Sequence, residues 1–197
     1  MAGQKFIVNM KEEHKMTWII LGIVAVIVLW FIVTYNSFIN LKNRVENAWA
    51  QIDVQLKRRY DLIPNLVNTV KGYAAHEKEI FENLGELRAK AMGAQSVKEV
   101  GDTNNQITQA LKTIFAVAEN YPELKANENF LKLQEELTNT ENKIAFARQF
   151  YNDIVMQYNA AQQRIPASIV ANMMRLTPKE YYPVDEGERG PINVNFD

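Results

Sequence analysis

FLKLQEELTNTENKIAFARQFYNDIVMQYNAAQQRI, residues 130 to 165, decides the fold. Phe130, Leu133, Leu137, Thr140, Ile144, Ala147, Tyr151, Ile154, Tyr158, Ala161 and Ile165 follow one another in steps of three and four. That rhythm lays them along one stripe of an α-helix. No glycine or proline interrupts the run, and Pro166 ends it. At about 1.5 Å per residue the helix is about 55 Å long. A stripe of that length needs apolar partners, which either a coiled coil or a helical bundle supplies.

The preceding sequence supplies them. Phe38, Leu41, Val45, Ala48, Ile52, Leu56 and Tyr60 form a first stripe. Pro64 disfavours helical angles in the residue before it, so this helix is expected to end near Tyr60 or Asp61. Asp61 then caps the next helix and Pro64 sits in its first turn. That second helix, about 63 to 92, carries Leu66, Val70, Tyr73, Ile80, Leu84, Leu87 and Ala91. Residues 93 to 101 read as a loop. Asp102 or Thr103 caps a third helix with Ile107, Ala110, Leu111, Ile114 and Val117 inward, stopped near Tyr121 by Pro122. Three companions with short connections favour an elongated up-and-down four-helix bundle over a coiled coil, and the fold class is all-α.

Ahead of the bundle, TWIILGIVAVIVLWFIVTY, residues 17 to 35, carries no charge. Nineteen residues span roughly 28 Å as a helix, close to the bilayer's hydrocarbon thickness. The apolar run exceeds the roughly 7 to 15 residues of a signal peptide, and no small-x-small cleavage site follows. Trp18, Trp30 and Tyr35 lie toward its ends, where amphipathic rings favour the interface. This predicts a single-pass transmembrane helix at 16–37 that runs directly into the first bundle helix, after an N-terminal tail at 1–15. Lys5, Lys11 and Lys15 on one side against Lys42 and Arg44 on the other leave its orientation undecided. The bundle is expected over 38–175. Residues 176–197 read as an irregular tail of net charge −3, from Lys179 and Arg189 against Glu180, Asp185, Glu186, Glu188 and Asp197. Ile192, Val194 and Phe196 alternate within it as a short strand at 192–196 would. Such a strand needs an edge from the bundle or from another chain, and a flexible tail is the alternative.

Composition excludes several functions. The 197 residues hold 22 Lys and Arg against 23 Asp and Glu, a net charge of −1. That balance offers no basic face for nucleic acid. There is no cysteine, and only His14 and His76 are available as imidazole ligands. HEKEI puts Ile80 where a zincin needs its second histidine, and Tyr73 stands three residues before His76 where a di-metal bundle needs glutamate. No glycine loop cradles a phosphate, and no GxxxG marks the span. The expectation is no enzyme, no metal and no cofactor.

Across NRVENAWAQIDVQLKRRYDLIPNLVNTVKGYAAHEKEIFE, residues 43 to 82, the chain resembles the LemA family of membrane-anchored bacterial proteins. The likeness extends through AENYPELKANENFLKLQEELTNTENKIAFARQFYNDIVMQYN, residues 118 to 159, and into the proline-containing stretch around 164 to 182. It implies one N-terminal transmembrane helix and an elongated helical bundle, with the N-terminus outside and the bundle in the cytoplasm. It brings no settled biochemical activity. Its DLIPNLV, KGYA and HE positions single out Asp61, Pro64, Asn65, Tyr73, His76 and Glu77 as the residues the family shares. Glu77 falls on the inward stripe of the expected second helix, so it needs a partner. A structural pairing with Arg148 or a tyrosine hydroxyl competes there with a role as a functional acid.

Asparagine makes up 20 of the 197 residues. Asn36, Asn40, Asn43 and Asn47, extended by Gln51 and Gln55, give the helix leaving the membrane an amide stripe beside its apolar one. Amides bond between packed helices without the desolvation cost of charges, so the stripe suits a neighbouring protomer; a solvated polar face is the alternative. Tyr151-Asn152 and Tyr158-Asn159 repeat at seven residues, the tyrosines as core and the asparagines flanking them, with a ligand pocket as the other reading. Lys57, Arg58 and Arg59 form the basic cluster, about 33 Å beyond the span, where they solvate the distal end or pair with Asp61 and other carboxylates. The expected partners are the lipid bilayer, further copies of the chain and a second membrane protein. The function these features suit is a membrane-anchored scaffold or adaptor, with an accessory subunit of a membrane protease or envelope quality-control system and a membrane-shaping oligomer as alternatives.

Overall fold

A computed structural model describes the backbone of residues 2–74 and 76–183, and their side chains from 14 onward. The described residues form six helices: α1 (Ala2–Lys71), α2 (Lys78–Gly93), α3 (Val97–Ala118), α4 (Pro122–Lys125), α5 (Glu128–Gln163) and α6 (Ala167–Met173). No strand occurs among the described residues, so the fold is all-α. The expected strand at 192–196 lies outside them. The chain divides into two compact units, one of residues up to 43 with 157–178, the other of 44–156 with the C-terminal segment from 179.

In the first unit, α1 is long and apolar enough to cross a membrane. Its side chains from Met16 to Leu29 are exposed, as an apolar helix surrounded by lipid requires. Residues 2–15, expected as a tail, are helical and continuous with the rest of α1. Near the end of the apolar stretch, Phe38 buries against Val170 and Ala171 of α6, with Trp30, Phe31, Ala161, Ala167, Met174 and Leu176 packed around them. The sequence reading missed α6, a short helix beyond Pro166. Its C-terminus is closed by Arg175, at φ 52°. Arg175 N–H donates to Asn172 O and Leu176 N–H to Ala171 O, both at 3.0 Å. These bonds satisfy carbonyls the helix end would otherwise leave bare.

In the second unit the predicted stripes hold the core. Val45, Ala48, Ile52 and Leu56 of α1, Ile107 and Ile114 of α3, and Leu137, Ile144 and Ile154 of α5 are all buried. Three boundaries differ from expectation. The break near Tyr60 does not occur, and α1 runs through Pro64 to Lys71. Proline at 64 removes the N–H that would bond to Tyr60 O, and Arg88 Nε of α2 donates to that carbonyl instead, at 2.7 Å. A tertiary donor thus replaces the backbone one, and the helix survives. The expected second helix is interrupted at 72–77 and restarts as α2. The third starts earlier than Asp102: Ser96 caps α3, its hydroxyl accepting from Glu99 N–H at 3.1 Å while Ser96 N–H donates to Glu99 at 3.3 Å. N–H donors from Gln95 and Ser96 hold the Glu99 carboxyl below its ordinary range. Asn127 caps α5, its Oδ1 accepting from Asn129 and Phe130 N–H.

Candidate interaction site

Arg59 sits in the middle of the second unit, 1 % exposed. Its place on the inner side of α1, beside Tyr60, leaves the guanidinium no route to water, so it must be paired. Glu141 of α5 supplies the charge. Asn104 of α3 accepts from Arg59 through its side chain and its backbone carbonyl. Thr108 Oγ1 accepts from Arg59 Nη1 at 3.0 Å and donates to Glu141 Oε1 at 3.0 Å. Tyr60 hydroxyl donates to Asn104 Oδ1 at 2.9 Å, while Asn104 Nδ2 donates to Val100 O at 2.7 Å. Burial raises the Tyr60 phenol, and the Asn104 bond and the Arg59 charge pull it back. Three helices are therefore locked in register by one planar cation with a fixed fork of donors. The basic cluster does not stay in solvent as a unit. Arg59 is internal, Arg58 pairs with Glu136, and the carboxylates reached belong to α5 rather than to Asp61.

Against this centre lies the segment 179–183. Asn152 Oδ1 accepts from Tyr182 N–H at 2.8 Å, and Asn152 Nδ2 donates to Tyr182 O at 3.1 Å. One side chain therefore satisfies both main-chain groups of an extended residue, as a neighbouring strand would. Tyr151 hydroxyl donates to Glu180 O at 3.0 Å. The Tyr182 ring, 2 % exposed, packs on Trp49 with centroids 6.4 Å apart, and Arg148 lies 5.7 Å over its face. Trp49 also meets Tyr151 edge to face at 5.5 Å. Burial pushes the Tyr182 hydroxyl up to about 12, against the lowering pull of Arg59 and Arg148. Tyr151 is raised by burial and by Glu180. Gly101 of α3 makes room, because a Cβ there would collide with the Pro183 ring and meet Tyr182 Cε1 at 3.2 Å. Asn152 is thus a clamp for the chain's own extended segment, and Tyr151 serves as both core and anchor. No periodicity in the sequence signals Tyr182 or Gly101, since their partners are more than twenty residues away.

A groove of about 520 Å³ runs between α1 and α5, lined by Ala50, Gln51, Val54, Gln55, Lys143, Phe146, Ala147 and Phe150. Phe146 is 74 % exposed and Val54 62 %. The Gln55 Oε1 atom is buried and accepts no hydrogen bond from any described residue. An exposed aromatic ring therefore lies beside a buried amide oxygen that no described residue satisfies.

Of the amide stripe, Asn36, Asn40, Asn43, Asn47 and Gln51 are exposed on α1 and Gln55 is half-buried. Gln51 and Gln55 reach the groove. The family-pattern residues do not gather into one site. Asp61, Pro64 and Asn65 are exposed on α1, and His76 is exposed in the connection to α2. Tyr73 hydroxyl accepts from Asn127 Nδ2 at 3.0 Å, joining the α1–α2 connection to the start of α5. Glu77 does not lie on an inward helical stripe. It occupies the position before α2, half-buried, with no side-chain cap bond. The expected partner Arg148 donates to Asn105 Oδ1 instead.

These features define a class: an all-helical protein with one helix fit to cross a membrane and a helical unit braced by a buried arginine. The profile of the LemA family matches residues 48–196, and the chain belongs to that family. Magnetosome protein MamQ 2 of Paramagnetospirillum magneticum is 23 % identical over 199 residues, covering 88 % of this chain and 73 % of that protein. Magnetosome protein MamQ of Magnetospirillum gryphiswaldense is 22 % identical over 83 % of this chain and 69 % of its own length. Protein LemA of Metamycoplasma hominis is 24 % identical over 92 % and 84 % respectively. None of these names denotes a reaction.

Proposed function

We propose that the chain is a non-enzymatic, single-pass membrane scaffold whose helices form an antiparallel bundle and which self-associates through the groove between α1 and α5. The observation that carries this is Phe146 and Val54 held exposed around the buried Gln55 amide oxygen, which no described residue satisfies. A second copy is the occupant the surface suits. Amides both donate and accept, so a face carrying Asn47, Gln51 and Gln55 is complementary to itself, as a two-fold contact requires. The exposed apolar stretch of α1, long enough to cross a membrane, supports placement at a bilayer, where shared anchoring raises the local concentration of copies. The proposal includes an N-terminus outside and a helical unit in the cytoplasm, by family analogy.

The test is the mass and composition of the full-length protein purified in mild detergent without crosslinker. Self-association predicts a particle of several copies that Phe146→Glu with Val54→Glu, or Asn40→Glu with Asn47→Glu, reduces in size. A monomer in the unmodified protein, or a particle unchanged by both pairs, refutes it. A stoichiometric second protein would favour the adaptor role instead, including that of an accessory subunit of a membrane protease or envelope quality-control system.

A further inference from the structure

α6 has two apolar faces. One, with Val170 and Ala171, is buried against Phe38. On the other, Ile169 and Met173 stand four residues apart and are 58 % and 67 % exposed, and Ile165, two residues ahead of the helix, is 88 % exposed. Only Ser168 and Asn172 form a narrow polar strip between the faces. A helix apolar nearly all round belongs inside a protein or inside a lipid phase, and the described residues cover this one on one side alone.

Its neighbours say which. Trp30 and Phe31, packed against the cluster that Val170 and Ala171 form with Phe38, belong to the apolar stretch of α1 that ends at Tyr35. Trp30 lies five residues before Tyr35, or about 7 Å along the helix axis. Interfacial helices bury their apolar face roughly 5 to 10 Å into the boundary between headgroups and acyl chains. Arg164 and Arg175, both exposed, flank the element at its two ends, where long cationic side chains reach anionic headgroups while their stems stay apolar.

We infer that residues 164–176 form a second membrane-contacting element, in which the Ile169 and Met173 face of α6, with Ile165 just ahead of it, lies in the acyl region of the leaflet where the apolar stretch of α1 ends. The occupant of this surface is lipid. The anchor is thus not one helix but a helix with a short buttress set against its end. This rests on the reading that residues 17 to 35 cross a membrane, and the experiment separates the two.

The chain has no cysteine, so single nitroxide labels can be placed in the full-length protein reconstituted in vesicles of phosphatidylcholine and phosphatidylglycerol. Ile169→Cys and Met173→Cys carry the test, with Val26→Cys as the mid-span reference and Asn68→Cys as the aqueous one. Collision with oxygen, which concentrates in lipid, is compared with collision with a water-soluble nickel complex. The expected ratio at 169 and 173 lies below that at 26, as a shallower depth requires, and stands several-fold above that at 68. Nickel access at 169 and 173 equal to that at 68, with 26 still in lipid, overturns the inference. Exclusion of both probes marks a protein-covered face and overturns it as well. Nickel access at 26 itself would instead refute the transmembrane reading beneath it.

Discussion

Arg88 and Pro64 are coupled through a single carbonyl oxygen, and a double-mutant cycle measures that coupling. Pro64 cannot donate to Tyr60 O, and Arg88 Nε fills the vacancy at 2.7 Å in a part-buried setting. Arg88→Met keeps most of the side-chain stem but strands the carbonyl, which costs about 1 to 3 kcal/mol. Pro64→Ala restores the backbone N–H and removes a helix-interior proline, so by itself it stabilises by about 1 to 3 kcal/mol. In the Pro64→Ala background the carbonyl is satisfied within the helix. Arg88→Met then costs only its lost contacts, about 0.5 to 1 kcal/mol. The expected coupling is therefore about 1 to 2 kcal/mol, with the loss of Arg88 milder when residue 64 is alanine. Urea unfolding of the full-length protein in mild detergent, followed by far-ultraviolet circular dichroism, gives all four free energies. Additivity within about 0.5 kcal/mol would refute the argument that Arg88 is what lets the helix pass through a proline.

Two further outcomes follow from the docked segment. Gly101→Ala should destabilise by about 1 to 3 kcal/mol through the collision with Pro183, and hydrogen exchange at 179–183 should quicken; recovery in Gly101→Ala with Pro183→Ala identifies the collision as the cause, whereas normal exchange in the single variant refutes it. Tyr182 predicts a loss of stability in alkali. Its folded value of about 12 lies above the ordinary value of about 10, so the native state favours the neutral phenol. That contribution is complete below about pH 10 and is lost as pH rises toward about 12, by up to roughly 2 to 3 kcal/mol. Urea midpoints across that window should fall more steeply in the unmodified protein than in Tyr182→Phe, and parallel curves would contradict the assignment.

Local rules account for much of this protein. The steps of three and four from Phe130 onward fixed α5 to within two residues at each end, because a long amphipathic stripe leaves the backbone one economical conformation. The uncharged run from Thr17 to Tyr35 likewise identified the helix fit for a bilayer from hydropathy and length alone. Pro166 and Pro122 ended helices where proline sterics say they must. Pro64 obeyed the same rule locally and still failed to end α1, because the group that compensates it comes from α2. The boundary at Ser96 was legible in principle as a capping box, S-x-x-E, but Gly101 drew attention as a loop residue when its role is to let Pro183 approach.

The candidate site divides in the same way. The amide stripe is visible in sequence because its members share one helix and one period. Asn152, Tyr182 and Arg59 are not, since each works through partners on other elements. Sequence by itself determined the all-helical class, the long stripe of α5, the apolar stretch fit for a bilayer and the absence of thiol chemistry, for those depend on neighbours within a few turns. Tertiary structure decided that Arg59 is internal, that Asn152 clamps an extended segment, and that Phe146 and Ile169 face outward. Burial and pairing are properties of what the rest of the chain brings alongside, and no local pattern encodes them.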